Sequence, residues 1–246
     1  MRFGLENPYN KGFPPCVHQM MNASTLSEFE RARFNMVEQQ IRPVGVFDAN
    51  VIEALFTVPR ELFVPSAFQG LAFADLEIPL QLGTVDTRQF MLSPKLEARL
   101  TQFLQLKDDD CVLEIGTGSG HQAALLARLA RTVTSIEIDP RLASFAQQNL
   151  QKAHIKNVSV EIGDGNNGWG TAEYDAILVS GGVDKVSNAL KYQLKIGGRM
   201  VVIVGHAPSM TAFCITRTTA ASFETTSLFE TVIKPLTGAC GSRFKF

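Results

Sequence analysis

The stretch richest in chemistry is V112-L-E-I-G-T-G-S-G-H-Q-A-A-L-L-A127, an apolar run followed by Gly116, Gly118 and Gly120 and then by a helical pattern. Glycines at a strand-to-helix turn allow a tight reversal and close approach of a ligand to the backbone. The start of the next helix offers unpaired N–H groups to an acceptor. Glu114 and Thr117 stand within the same turn and join the glycines as candidate ligand contacts. A dinucleotide fingerprint requires G-x-G-x-x-G, whereas here the third glycine falls at 120 and position 121 is His. The spacing is E-x-G-x-G-x-G, the arrangement associated with S-adenosylmethionine.

Two acidic positions extend the set. Glu137, followed by Ile138, ends the next apolar run 21 residues beyond Gly116, where a carboxylate can accept both hydroxyls of a ribose. The third run ends in G163-D-G165, so that Asp164 can accept from an adenine amino group while the N–H of Gly165 faces the ring. Taken singly, Asp-Gly is an ordinary turn and Glu137 a solvated strand-end carboxylate. Together the three loops occupy the carboxyl edge of one sheet, where α/β folds bind ligands. The predicted cofactor is S-adenosylmethionine and the predicted contacts are Glu114, Gly116, Thr117, Gly118, Gly120, Glu137, Ile138, Asp164 and Gly165.

The elements that must position these residues follow from periodicity. After Lys107, short runs apolar on both faces alternate with helical stretches: 111–115, 133–138, 158–162, 175–180 and 199–204 read as strands, and 121–130, 141–153 and 185–194 as helices. That grammar predicts βαβ units and a parallel sheet covered by helices. Residues 213–218 and 223–233 read as an antiparallel pair closing the sheet. Upstream, capping-box spacings at Thr25–Glu28 and Ser27–Glu30 open a helix through Leu26, Phe29, Phe34, Val37 and Ile41 that Pro43 ends. Asp48 caps a second helix, residues 65–93 read as loop, and a helix runs from about Pro94 to Leu106. Residues 1–22, with Pro14-Pro15, read as a loose extension, 23–106 as a helical and acceptor-loop subregion, and 107–246 as the ligand-binding α/β domain.

Composition narrows the classes. The chain has 246 residues, 45% of them hydrophobic and 19% charged, the balance of a chain that buries a core. Lys and Arg total 23 against 24 Asp and Glu, so there is no electrostatic footprint for nucleic acid. No run approaches the roughly 18 apolar residues of a membrane span. Cys16, Cys111, Cys214 and Cys240 show neither C-x-x-C nor metal-ligand spacing, and with no secretory segment a reducing cytoplasm is expected. The four histidines read as loop or helix-surface residues, with His121, beside the glycine turn, the one to watch.

Longer motifs add a resemblance. M36-V-E-Q-Q-I41, V51-I-E-A-L55, V58-P-R-E-L-F-V-P65, G163-D-G-N-N-G-W169, Y174-D-A-I-L-V179, L194-K-I-G-G-R-M-V-V202 and V232-I-K-P-L236 resemble the protein-L-isoaspartate O-methyltransferases over about residues 33–236. The resemblance implies a Rossmann-like class I methyltransferase: an α/β fold with a doubly wound, mostly parallel sheet, an antiparallel C-terminal strand pair and an N-terminal helical subregion. It also implies methyl transfer to a carboxylate of damaged aspartyl residues in protein. A carboxylate is already a nucleophile at pH 7, so positioning supplies most of the effect and no general base is needed.

The acceptor loop departs from the family. There the pattern is P-I-G-x-G-Q-T-I-S-x-P, with the Ser hydroxyl close to the reacting carboxylate. Q89-F-M-L-S-P94 aligns with its last part, which places Leu92 at the Ser position and Ser93 one residue late. Either the loop bulges and Ser93 serves as the catalytic hydroxyl, or the hydroxyl is gone. Three readings stay open on the sequence: an active isoaspartyl methyltransferase, a relative that methylates another acceptor, and a cofactor-binding protein without transfer activity. Leu92, Ser93 and Ser180 are the residues expected to line the space beyond the sulfonium.

Overall fold

Ser27, the first described residue, makes a reciprocal cap. Its hydroxyl accepts the N–H of Glu30 at 3.3 Å, and the Glu30 carboxylate accepts the N–H of Ser27 at 2.8 Å. The structure, a computed structural model, describes residues 27–238. Thr25, Leu26, Cys16, Cys240 and the expected extension 1–22 lie outside the described residues.

Helix α1 (Glu28–Met36) continues through a π turn (Val37–Ile41) and a 3-10 turn (Arg42–Val44). Pro43 therefore sits inside the helical stretch rather than ending it. The stop falls at Gly45, in the left-handed region at φ 88°. Asp48 caps α2 (Ala49–Thr57) by accepting from the N–H groups of Asn50 and Val51, as its spacing predicts.

The segment expected to be loop, 65–93, instead holds a hairpin: β1 (Ile78–Leu82) and β2 (Val85–Met91) pair antiparallel as a two-stranded sheet of their own. Pro79 and the polar outward positions of β2 mask the strand signal, because proline is tolerated in the edge strands of so small a sheet. The legible sign was L82-G-T-V85, a two-residue turn led by Gly83 at φ 61°. Ile78, Leu80 and Met91 point into the same hydrophobic cluster as α1 and α2.

Helix α3 (Pro94–Leu104) leads into the seven-stranded sheet. Its parallel part comprises β3 (Cys111–Ile115), β4 (Thr132–Glu137), β5 (Val158–Ile162), β6 (Tyr174–Val183) and β7 (Leu194–His206). Two antiparallel strands, β8 (Ser209–Arg217) and β9 (Phe223–Glu230), close one edge. The strand order is β5-β4-β3-β6-β7-β8-β9. Helices α4 (His121–Ala127) and α5 (Pro140–Lys152) make the crossovers, and the predicted helix at 185–194 shrinks to α6 (Asn188–Tyr192).

Strand residues alternate between two cores. Val112, Ala176, Leu178 and Val201 meet α3 and α4 on one face, while Leu113, Ile177, Val179 and Met200 face the other. Both faces are thus covered, which explains the continuous apolar runs. Gly120 lets α4 and α5 touch: a Cβ there would stand 3.3 Å from the backbone of Ala146, at a φ of 85° that favours glycine in any case.

Candidate active site

The carboxyl ends of β3, β4, β5 and β6 open into a cleft of about 700 Å³ including its mouth, within the range of small-molecule sites. On one side stand Gly116, Gly118, Glu137, Ile138, Asp164 and Gly165, six of the nine contacts expected from the sequence. Glu114, Thr117 and Gly120 do not line it. Glu114 lies inside β3, on the same face as Val112, and Thr117 points away to the Ser135 hydroxyl at 2.6 Å. Gly120 faces α5.

Glu137 is buried in the cleft wall. One carboxylate oxygen accepts the N–H of Gly118 at 2.8 Å and the other that of Asp139 at 3.0 Å. Burial pushes its pKa up, against those backbone bonds. Each oxygen keeps a second lone pair, so the group can also accept a vicinal diol. Ile138, 41% exposed, and Leu142 supply apolar surface beside it. Asp164 accepts from the backbone and side-chain amides of Asn166 at 2.9 and 2.7 Å, which fixes the turn against the cleft. A buried diol acceptor flanked by apolar side chains and a glycine-lined backbone fits an adenosine.

The opposite wall comes from the hairpin and the C-terminal segment. Leu80, Gln89, Phe90 and Leu92 face Lys234, Pro235, Leu236 and Thr237. Gln89 Nε2 lies 3.3 Å from the Thr237 hydroxyl, and the Lys234 ammonium stands 5.4 Å from the centre of the Phe90 ring. Lys234 is the one cation among the described lining residues, and Glu77, raised by burial against its attraction, stands with it.

Leu92 lines the cleft and Ser93 does not. Ser93 is the N-cap residue of α3, where its hydroxyl makes no capping bond. Leu92, and not the Ser93 expected as the catalytic hydroxyl, is thus the residue of this stretch that faces the cleft. The hydroxyls that do line the cleft are those of Thr237 and, within β6, of Ser180. The Ser180 Oγ lies 2.9 Å from Glu114 Oε1.

Beneath the loop lies a buried polar cluster that the sequence did not disclose. Arg60, from V-P-R-E-L-F-V-P, donates from Nη2 to the carbonyl of Leu92 and from Nε to that of Ala72, both at 2.7 Å. Its Nη1 pairs with Glu97, which also meets His121 Nδ1 at 2.9 Å. His121 is 2% exposed and packs edge-on to Phe63, so it is a core residue and not a helix-surface one. Burial holds His121 neutral, and the same Nδ1 stands 3.1 Å from Arg60 Nη1. Burial, the largest single influence, would raise Glu97, but Arg60 and His121 together outweigh it and keep the carboxyl below its usual range. The sequence signal available was the motif itself, whose arginine has no partner within its own stretch.

This is a class I methyltransferase fold, with its ligand cleft at the carboxyl edge of the sheet. Residues 31–241 match the family model described as protein-L-isoaspartate(D-aspartate) O-methyltransferase. Protein-L-isoaspartate O-methyltransferase 1 of Syntrophobacter fumaroxidans is 46% identical over 178 residues, spanning 72% of this chain and 81% of its own. The Brucella anthropi enzyme is 37% identical over 215 residues, 87% of this chain and 96% of that one. A solved protein-L-isoaspartate O-methyltransferase superimposes with a TM-score of 0.73 at 26% identity, covering 86% of this chain and 67% of that one. A Plasmodium falciparum protein of the same description, in complex with S-adenosyl-L-homocysteine, gives 0.69 at 16% identity over 86% of this chain and 99% of its own, a likeness of fold. The chain belongs to the protein-L-isoaspartate O-methyltransferase family.

Proposed function

We propose that the protein transfers a methyl group from S-adenosylmethionine to the carboxylate of an isoaspartyl residue in damaged protein. The observation that carries this is the pairing of Glu137 with the Gly118 N–H on one wall of a cleft whose other wall is the hairpin ending at Leu92. S-adenosylmethionine supplies a methyl on a positively charged sulfur that is its own leaving group. Glu137 accepts the ribose hydroxyls, Asp164 and Gly165 meet the adenine edge, and Ile138 and Leu142 cover its faces. The hairpin and the segment 234–237 exclude water. Lys234 supplies the positive potential that an anionic acceptor needs. The acceptor carboxylate is ionised at neutral pH, so no side chain has to remove a proton.

On this reading, residues 23–106 carry the acceptor side and 107–246 the cofactor side. No helix among the described residues is long and apolar enough to cross a membrane. The compartment proposed is the cytoplasm, where the free thiols Cys111 and Cys214 persist. The test is transfer of tritiated methyl from S-adenosylmethionine to an isoaspartyl peptide, with the normal aspartyl peptide as control. Label on the isoaspartyl peptide alone supports the reading. Equal or absent label on both, from a protein that binds S-adenosylhomocysteine, overturns the substrate.

A further inference from the structure

The hairpin side of the cleft carries two charges of opposite sign, Glu77 and Lys234. Strand register places the first. Ile78 pairs with Met91 and Pro79 with Phe90, so Glu77 comes opposite Leu92, one step beyond the last pair. Ile78 and Met91 point into the core, and alternation turns Glu77, Phe90 and Leu92 to the other face, where all three line the cleft. The C-terminal segment places the second. The Thr237 carbonyl accepts from Asn166, beside the Asp164 turn, at 3.0 Å, and Leu236 lies against Gly116. Lys234, at the end of the segment away from that turn, stands over the Phe90 ring. Both charges thus flank the Phe90–Leu92 surface of the hairpin, across the cleft from Glu137.

We propose that the protein selects isoaspartyl residues with a basic neighbour: Lys234 holds the acceptor carboxylate, and Glu77 holds the lysine or arginine beside it. The inference rests on the methyltransferase reading above and names its class of peptide.

Charge balance carries the assignment. Among the described residues no ion pair joins Glu77 to Lys234 and no donor meets the Glu77 carboxylate. Burial acts on that carboxylate more strongly than the attraction of Lys234 does. Lys95, three residues past Leu92, is taken by Asp75. Once Lys234 faces the acceptor carboxylate, Glu77 has no cation left to it and repels the acceptor. A basic side chain on the adjoining residue cancels that repulsion, and an acidic one adds to it. The surface between the two charges is apolar, Phe90 and Leu92. It suits the methylene stem of a lysine or arginine whose head group reaches a carboxylate.

The test uses isoaspartyl peptides that are identical except for Lys, Ala or Glu next to the isoaspartyl residue, on each side in turn. Wild type is compared with Glu77→Gln, Glu77→Lys and Lys234→Gln. The readout is the ratio of kcat/KM for the Lys-flanked over the Glu-flanked peptide, which cancels differences in folding and in nucleoside affinity between preparations. The expected ratio in wild type is on the order of 10, from two charge effects of surface strength and opposite sign. Glu77→Gln brings it near one, and Glu77→Lys takes it below one, the change lying in KM. Lys234→Gln raises KM for all three peptides by about 10-fold, the loss of a hydrogen bond to a charged group. A wild-type ratio of one, or a ratio that Glu77→Gln leaves in place, overturns the inference and leaves the methyltransferase reading standing. So does a Lys234→Gln enzyme that loses as much calorimetric affinity for S-adenosylhomocysteine as for peptide, because Lys234 then serves the nucleoside. A wild type that binds S-adenosylhomocysteine yet methylates no isoaspartyl peptide overturns the substrate reading, and this inference with it.

Discussion

The guanidinium of Arg60 holds the backbone of Leu92: its Nη2 donates to the Leu92 carbonyl at 2.7 Å, while its Nη1 pairs with the fully enclosed Glu97. The residue that shapes the acceptor side is thus fixed from below by an ion pair that never meets solvent. Arg60→Met should cost about 3–5 kcal/mol of folding stability, because Glu97 is left buried with only a neutral imidazole beside it. The combined variant Arg60→Met/Glu97→Leu should recover much of that loss. Urea unfolding of both variants decides it, and equal losses in the two would remove the ion pair from the account.

Glu137→Ala should weaken S-adenosylhomocysteine binding by about 1.5–3 kcal/mol, the worth of hydrogen bonds to a charged group. The side chain also restrains the Gly118 and Asp139 N–H groups, so the loss combines a missing acceptor with a looser turn. Calorimetric titration measures it, and Glu137→Gln should fall between.

Gly118→Val tests the turn itself. A Cβ there would meet only Leu80 Cδ1, at 3.4 Å, so the protein has room to fold; the φ of 56° costs a β-branched residue roughly 1–2 kcal/mol. The prediction is a folded protein with a modestly lowered Tm and no measurable nucleoside binding. Retained binding would show that the ligand does not approach this turn.

Ser93→Ala should leave turnover unchanged, since that hydroxyl neither lines the cleft nor caps α3. Leu92→Ser in the wild-type background should raise transfer to an isoaspartyl peptide by placing a hydroxyl where Leu92 faces the cleft. A fall in activity with Ser93→Ala would mean that the loop rearranges around its substrate.

The titration of Glu114 gives a pH prediction with a definite sign. Its pKa of about 8 in the folded protein exceeds the value near 4.3 in an unfolded chain. Between those pH values the folded state holds the extra proton, so this group's contribution to stability falls as pH rises through the window. Glu114→Gln cannot ionise and should therefore be less sensitive to pH than wild type. Urea midpoints at pH 5.5 and 8.5 read the difference, and identical slopes would mean that Glu114 is ionised in the folded protein.

What the sequence disclosed was chemistry confined to one short stretch. The glycine turn, Glu137 and the Asp164 turn each sit at the end of an apolar run, so periodicity located both the strand and the edge where its ligand groups emerge. Glu114 was grouped with them by proximity, yet the alternation of a strand puts it on the face of Val112, inside the wall. The Arg60–Glu97–His121 cluster was out of reach for another reason. Its members come from a 3-10 turn and two helices, and each looks like an ordinary surface residue until the elements pack. The hairpin was hidden because its outward positions are polar and Pro79 interrupts its first strand.

That hairpin has a bearing on how such a protein diversifies. Since β1 and β2 hydrogen-bond to each other and not to the seven-stranded sheet, no rung of the large ladder depends on what is written between residues 78 and 91. The part proposed to face the acceptor is therefore a cassette, clipped on by Arg60 and by apolar contacts. A lineage can rewrite it and try new substrates while the nucleoside-gripping framework is inherited intact.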